Sequence, residues 1–363
     1  MALLIRDAVD AVNRIAPPHL KMGDDPTGLL VGNPEEPLTG IVVALDVTAT
    51  VVREAQKQNA NFIVAHHPLI YHPQKTIRTD HAHPGRVVMN CVRAGISVAC
   101  AHACWDVADG GVNDVLADLC GLENTRPLQI TYREPLVQIV VFVSSEARER
   151  VMNAMSEAGA GAIGNYDRCG FWAEGTGTFR PLSGANPAEG KIGVPTLVNE
   201  NRLEMIAPQS AWPAIIAAAK QAHPYEEVAH GVYPLLNTAR EYGIGRVGTL
   251  KEPTTAGAFL QHLQVALRFP AVRLWGPRDK PLRTVAVCGG AGSRLMPDAV
   301  RASADALVTS DVPHHEFIDA QERGFCLFDA GHAATESPGA EALSQRLTEA
   351  LPGVPVLFVS GPL

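Results

Sequence analysis

Short runs of β-branched and aliphatic residues that end in polar ones recur along the chain, and the segments between them have helical spacing. Between residues 40 and 125 the runs are GIVVALDVT (40–48), NFIVAHHPL (61–69) and ISVACAH (96–102), separated by helical patterns over 48–60 and 85–95. Strands alternating with helices predict an α/β sheet, with polar side chains gathered where the strands end. The same grammar returns from about residue 245, in RTVAVCGGAGS (283–293), DALVTSD (305–311), FCLFDAGH (325–332) and VPVLFVS (354–360), again with helices between. The two ends of the chain therefore read as halves of one layered α/β domain.

Between them the pattern changes. A strand at 136–144, a helix at 146–159, a Gly-punctuated strand pair at 165–181, a strand at 202–209, a helix at 210–223 and a closing strand at 226–235 follow one another. That is the β-α-β-β-α-β order of a ferredoxin-like split βαβ unit. The expected organisation is a discontinuous domain of residues 1–128 and 241–363, with 129–240 inserted as a ferredoxin-like α+β domain. The N-terminal MALLIRDAVDAV carries Asp7 and Asp10 within its apolar stretch, so it predicts an amphipathic helix rather than a signal sequence. No segment approaches the roughly 18 apolar residues of a membrane helix.

Composition narrows the function classes. The net charge of −8 over 363 residues, without a Lys/Arg run, argues against a nucleic-acid surface. Seven cysteines without a Cys-x-x-Cys pair signal neither a disulfide framework nor a zinc ribbon, which fits a reducing cytoplasm. Cys100 and Cys104 read as buried thiols. The 13 histidines are bunched, at His66/His67, His72, His81/His83 and His314/His315.

Three loci carry candidate chemistry. His66-His67-Pro68 ends a strand, where neighbouring side chains point to opposite faces, so each imidazole would serve a different ion; a hydrogen-bonded loop pair is the plain alternative. His102 and Asp106 follow the strand ISVAC, ahead of a Gly110-Gly111-Val112-Asn113-Asp114 turn and helix cap. In DAGHAATESP, Pro338 is expected in a first helical turn, which puts His332 in the preceding loop and Glu336 at the helix start; a helix cap is the plain alternative for Glu336 there. Together, His66, His67, Asp106, His332 and Glu336 offer more mixed nitrogen and oxygen ligands than one tetrahedral ion needs, and carboxylates can bridge. Two divalent metal ions per subunit are the expectation, with Zn, Fe, Mn, Co or Ni all suited to such ligands. Gly289-Gly290-Ala291-Gly292-Ser293 lacks a P-loop ending, so a tight strand-to-helix turn stands beside a phosphate cradle. His223-Pro224-Tyr225-Glu226-Glu227 reads as a helix-to-strand turn.

At these residues the sequence resembles the GTP cyclohydrolase 1 type 2 homologues, also called the Ngg-interacting-factor-like family, in the longer form with a PII-like (CutA-like) inserted domain. The stretches that carry the resemblance are Gly28 to Gly32, Ala44-Leu45-Asp46, His66 to Ile70, His102 with Asp106, Gly110 to Asp114, Thr309 to Asp311 with His315, and Asp329 to His332 with Glu336. Asp24-Asp25-Pro26-Thr27 stands where the family usually has Trp-Asp-Asn, and Cys104-Trp105 replaces its usual Asn. The resemblance implies that His66, His67, Asp106, His332 and Glu336 are ligands of a dinuclear metal centre. It also implies a toroidal homohexamer with its metal sites facing an internal cavity and the inserts over its openings, and His102, Asp311 and His315 near the metals. The expected function is a metal-dependent hydrolase of a small-molecule substrate, working through a metal-activated water, with His102 or His315 moving protons and ring opening of GTP as one reaction. The alternative is a non-catalytic hexameric metal-binding scaffold for regulation or storage.

Overall fold

In a computed structural model of the chain, residues 3–80 and 83–361 are described. The chain forms two compact units, Met1–Tyr132 with Tyr242–Leu363, and Arg133–Glu241.

The first unit opens with helix α1 (Ile5–Ile15), whose buried face is Ile5, Ala8, Ala11 and Val12. The three-to-four spacing of those residues is what makes the helix amphipathic. Strands β1 (Gly28–Val31), β2 (Ile41–Ala44), β3 (Phe62–Ala65), β4 (Ser97–Cys100) and β13 (Val356–Val359) form a sheet in the order β1-β4-β3-β2-β13. β2, β3, β4 and β13 run parallel, and β1 is antiparallel to β4. Helices α2 (Ala49–Lys57) and α3 (Gly85–Ala94) connect the central strands. Every residue of β2, β3 and β4 is buried, as expected of a parallel sheet covered on both faces. Val42, Ile63 and Val98 pack with Val51 and Val88 on one side; Ile41, Val43, Phe62 and Val64 pack with Ile5, Val12, Leu343 and Leu347 on the other. Two short helices, α4 (Ala103–Val107) and α5 (Val112–Leu119), follow β4.

The chain leaves this unit along β5 (Leu122–Val143). In the second unit come α6 (Arg148–Glu157), β6 (Gly170–Phe179), β7 (Thr196–Pro208) and α7 (Trp212–Ala222), and the chain returns along β8 (His230–Thr255). The strand order is β6-β7-β5-β8, and β7 is antiparallel to both β5 and β6. A buried cluster of Ile139, Val141, Val151, Met155, Leu203, Met205, Ile215 and Ala219 fills the space between the strands and both helices. The expected strand pair within 165–181 is corrected here: β6 is a single strand, and its partner is β7, which begins at Thr196. Gly175 and Gly177 are strand residues rather than turn residues. A Cβ on Gly177 would collide with the Glu200 carboxylate across the ladder.

His223, in this unit, is buried between two fixed partners. Its Nε2–H donates to the Phe142 carbonyl at 3.0 Å, and its Nδ1 accepts the Tyr225 N–H at 3.1 Å. Burial holds the imidazole below its ordinary pKa, against the Phe142 bond and helped by the positive charge of Arg150. A base whose folded pKa is depressed contributes stability above its unfolded value near 6.5, and that contribution is lost as the pH falls through the folded value. We expect melting temperature to fall more steeply below pH 6.5 in the wild type than in His223→Gln; equal slopes would refute this.

Back in the first unit, α8 (Ala256–Ala266), β9 (Arg273–Trp275), β10 (Pro281–Val287), α9 (Met296–Arg301), β11 (Ala306–Thr309), α10 (His314–Glu322), β12 (Cys326–Asp329) and α11 (His332–Ala350) complete the chain before β13. β10, β11 and β12 are parallel, with β8 and β9 antiparallel on their flanks. Val285, Val308 and Phe328 pack against Phe259 and Leu263 of α8. On their other face Ala286, Leu307 and Leu327 belong to the same buried cluster as Ile41, Val43 and Val64 of the first sheet. One core therefore joins both sheets of this unit. All seven cysteines are free and six are buried, Cys100 and Cys104 among them. Among the described residues no helix is long and apolar enough to cross a membrane.

Candidate metal centre

The polar groups gather where parallel strands end. Past the end of β3 the expected opposite-face alternation is not kept: the consecutive His66 and His67 N–H groups both donate to the β2 side, at Ala44 and Leu45, and the two rings lie beside each other. His66 is fully buried, and its Nδ1–H donates to the Ala101 carbonyl at 3.1 Å. That bond sets the tautomer and leaves Nε2 as an acceptor. Facing Nε2 are Asp106 Oδ1 at 3.6 Å and Glu336 Oε1 at 3.9 Å. His67 Nδ1 bonds Asp46 at 2.9 Å, and its Nε2 faces Glu336 Oε2 at 2.9 Å and His332 Nε2 at 3.3 Å. The two adjacent imidazoles thus face different oxygens of Glu336, while their own ligand atoms also fall in one group with His102.

Asp106 lies in α4, whose start is tied down by Asp25. One Asp25 oxygen accepts the Ala103 N–H at 3.1 Å and the other the His102 Nδ1–H at 2.7 Å. Trp105, beside Asp106, is fully buried and donates Nε1–H to the Gly339 carbonyl of α11 at 2.9 Å. Asn113 donates to the Asp106 carbonyl at 2.9 Å and accepts the Gly289 N–H at 3.0 Å.

The expected placement of His332 in a loop and Glu336 at a helix start is corrected. His332 is the first residue of α11 and Glu336 lies one turn on, so both sit on one helical face. The helix runs on through Pro338, which has no N–H to donate. Close packing on α5 holds it there: a Cβ on Gly339 would come within 2.7 Å of Val112 Cα. His332 Nδ1 is bonded to Asp311, and its Nε2 lies 3.0 Å from Glu336 Oε2.

The glycine turn after β10 gives Glu336 its room. Gly290 has φ +61°, and a Cβ there would strike Glu336 Oε1. The N–H groups of Gly289, Gly290 and Gly292 are taken by Asn113, Thr335 and Thr309. These three N–H groups are therefore spent on packing the turn as a support for the carboxylate.

Three groups of potential ligand atoms each lie within 4.8 Å: His66, His67 and His102; His67, His332 and Glu336; and His66, Asp106 and Glu336. The donor set fits a cation. His66 Nε2 and Asp106 Oδ1 are buried polar atoms without a hydrogen-bond partner, and they face each other. Such a pair turned together out of bulk water is costly unless a proton, a water or a cation lies between them. The local field agrees. Burial disfavours charge on His67, but hydrogen bonds to Asp46 and Glu336 outweigh it and raise its pKa to about 10. The Glu336 hydrogen bond, against burial, raises His332 to about 9. Burial pushes the Asp106 carboxyl up, opposed by His66; the three histidines overcome burial to hold Glu336 well below the usual carboxylate range. Burial also lifts the Cys104 thiol to about 11, which keeps it an unreactive neighbour.

The sequence matches the family described as Duf34/NIF3 (NGG1p interacting factor 3) over residues 3–361. The chain belongs to the Duf34/NIF3 family. It is 40% identical over 340 residues to the Bacillus subtilis (strain 168) protein named GTP cyclohydrolase 1 type 2 homolog, covering 94% of this chain and 91% of that one. The Mycobacterium tuberculosis protein of the same name is 35% identical, with 97% and 94% covered. Among solved structures, the Bacillus cereus protein related to NIF3 superposes with a TM-score of 0.93 at 39% identity, over 100% of this chain and 98% of that one. As in the NIF3-related B. cereus structure, the fold is mixed α/β.

Within this NIF3 chain, all five residues expected at the centre come together, with His102 beside them and Asp311 behind His332. His315 does not join: it is exposed in the first turn of α10, and no hydrogen bond, ion pair or ring contact to the cluster is found among the described residues. His72, His83 and His314 are also exposed and outside the cluster, and His81 lies outside the described residues. Two supports, Asp46 and Asp25, went unassigned in the sequence. Asp46 directly follows Leu45 at the end of β2, so the strand-end rule that singled out His66 applies equally to it. Asp25 lies in a loop with no pattern to mark it.

Proposed function

We propose that His66, His67, Asp106, His332 and Glu336 hold two divalent cations with Glu336 shared between them, and that the protein is a metal-dependent hydrolase of a small molecule. The carrying observation is the buried, partnerless pair His66 Nε2 and Asp106 Oδ1, 3.6 Å apart, joined through Glu336 to the His67 and His332 group. Zn, Fe, Mn, Co and Ni all suit such imidazole and carboxylate ligands. When bound, a pair of such ions supplies Lewis acidity toward the oxygen under attack and activates water near neutral pH.

The chain's own residues do the rest. Ala101, Asp46 and Asp311 accept the Nδ1–H groups of His66, His67 and His332, which aims each Nε2 inward. Asp25 holds His102 in the same way, leaving its Nε2 to take or give a proton beside the His66 and His67 rings. A cavity of about 390 Å³, lined by Phe269, Arg273, Asp311, Asp329 and Gly331 among others, adjoins His332 and offers a place for substrate. The relatives' printed name supports opening of the guanine ring of GTP as one reaction to try. We extend the reading to a cytoplasmic homohexamer without a nucleic-acid partner, and to residues 129–240 as an inserted ferredoxin-like, PII/CutA-like domain.

The test pairs elemental analysis of protein purified without added metal or chelator with a turnover screen over GTP, cyclic amides and phosphoesters. About two equivalents of metal and turnover of one class are expected. Metal without any turnover would sink the hydrolase reading and leave a binding scaffold; no metal uptake would sink both.

A further inference from the structure

The stretch His223-Pro224-Tyr225-Glu226-Glu227 takes no part in the metal cluster. It closes one side of a cavity of about 430 Å³ within the Arg133–Glu241 unit. Phe179, Pro181, Leu182 and Pro187 supply apolar walls. The charged groups on the lining are Glu189, Glu200, Glu226 and Glu227, against Arg180 alone on the basic side. Glu226 already accepts the Asn186 N–H. The Tyr225 hydroxyl is buried and has no hydrogen-bond partner, although the Tyr225 backbone is pinned by His223. Such a hydroxyl is satisfied only by what fills the cavity, water or a ligand group.

The lining selects among cations. A divalent ion needs several oxygens converging within a few ångström. Among the described residues, groups of three or more His, Cys, Asp or Glu ligand atoms within 4.8 Å lie at the His66 to Glu336 centre, and none lies here. Carboxylates spread around an apolar wall match instead an extended ligand, whose chain is apolar and whose positive groups are separated.

We propose that this cavity binds an organic cation, an alkyl chain bearing ammonium groups, with its chain against Phe179 and Leu182 and one ammonium donating to Tyr225 Oη and Glu200. The proposal is independent of the metal reading.

The test uses the full chain and spermidine as the probe, followed by calorimetry at about 150 mM salt, where loose surface attraction is screened. One saturable site per chain is expected, unchanged in Glu336→Gln. Tyr225→Phe removes a hydroxyl that bonds nothing in the protein, so it should melt at the wild-type temperature yet bind spermidine about tenfold more weakly, as loss of a charge-assisted hydrogen bond implies. Glu200→Gln should weaken binding similarly. No saturable binding, displacement by magnesium at equal ionic strength, or wild-type affinity in both variants would each overturn the proposal.

Discussion

Replacing Glu336 by Gln is expected to strip the protein of the two cations proposed above while leaving its fold in place. Oε1 faces His66 and Oε2 faces His67 and His332, so one side chain serves both groups. Gln keeps the shape but loses the negative charge, and its NH2 turns donors toward one of the two ligand sets. Loss of an outer partner at a metal site costs roughly 10- to 100-fold in affinity. Asp46→Asn, which touches only His67, belongs in that range. Glu336→Gln should exceed it and should act on both ions together. Metal content by elemental analysis, with circular dichroism as a check on folding, decides the matter. A folded Glu336→Gln that retains two equivalents of metal would remove Glu336 from the centre.

The second large effect is on stability. Trp105 is fully buried, belongs to the core that joins both sheets of its unit, and donates to the Gly339 carbonyl of α11. Trp105→Ala should cost about 3–5 kcal/mol, the range for removing a buried Trp or Phe side chain. Trp105→Phe keeps most of the packing but leaves the Gly339 carbonyl without this donor, and should cost about 1–3 kcal/mol. Because Trp105 ties the helix carrying Asp106 to the one carrying Glu336, Trp105→Ala should also weaken metal uptake. Denaturant unfolding measures the first effect. A Trp105→Ala protein within about 1 kcal/mol of wild type would show that this contact does not hold the two helices together.

Much of the centre was legible because strand ends are legible. His66, His67 and His102 follow hydrophobic runs long enough to be buried strands, and a polar residue directly after such a run has few places to go but the sheet edge. Helix α11 was harder to read. Pro338 argues for a helix start, yet the helix runs through it because α5 and Trp105 hold that segment by packing and by a hydrogen bond to Gly339. Those contacts come from residues more than two hundred positions away, beyond the reach of any local rule. The glycines of β6 are not turn residues because their pairing partner, β7, begins well beyond them at Thr196, a distance no local pattern marks.

The sequence by itself determined the alternation of strands and helices, the change of pattern between the two ends, and the candidate imidazoles and carboxylates at the strand ends, because periodicity and ligand chemistry are local properties. Only the tertiary structure decided how those side chains divide into groups. Glu336 shares its oxygens between His66 with Asp106 and His67 with His332, and Asp46, Asp25 and the Ala101 carbonyl fix the imidazoles that face it. That division depends on distances between segments far apart in the chain, which are set by one core packed between two sheets rather than by any stretch of residues alone.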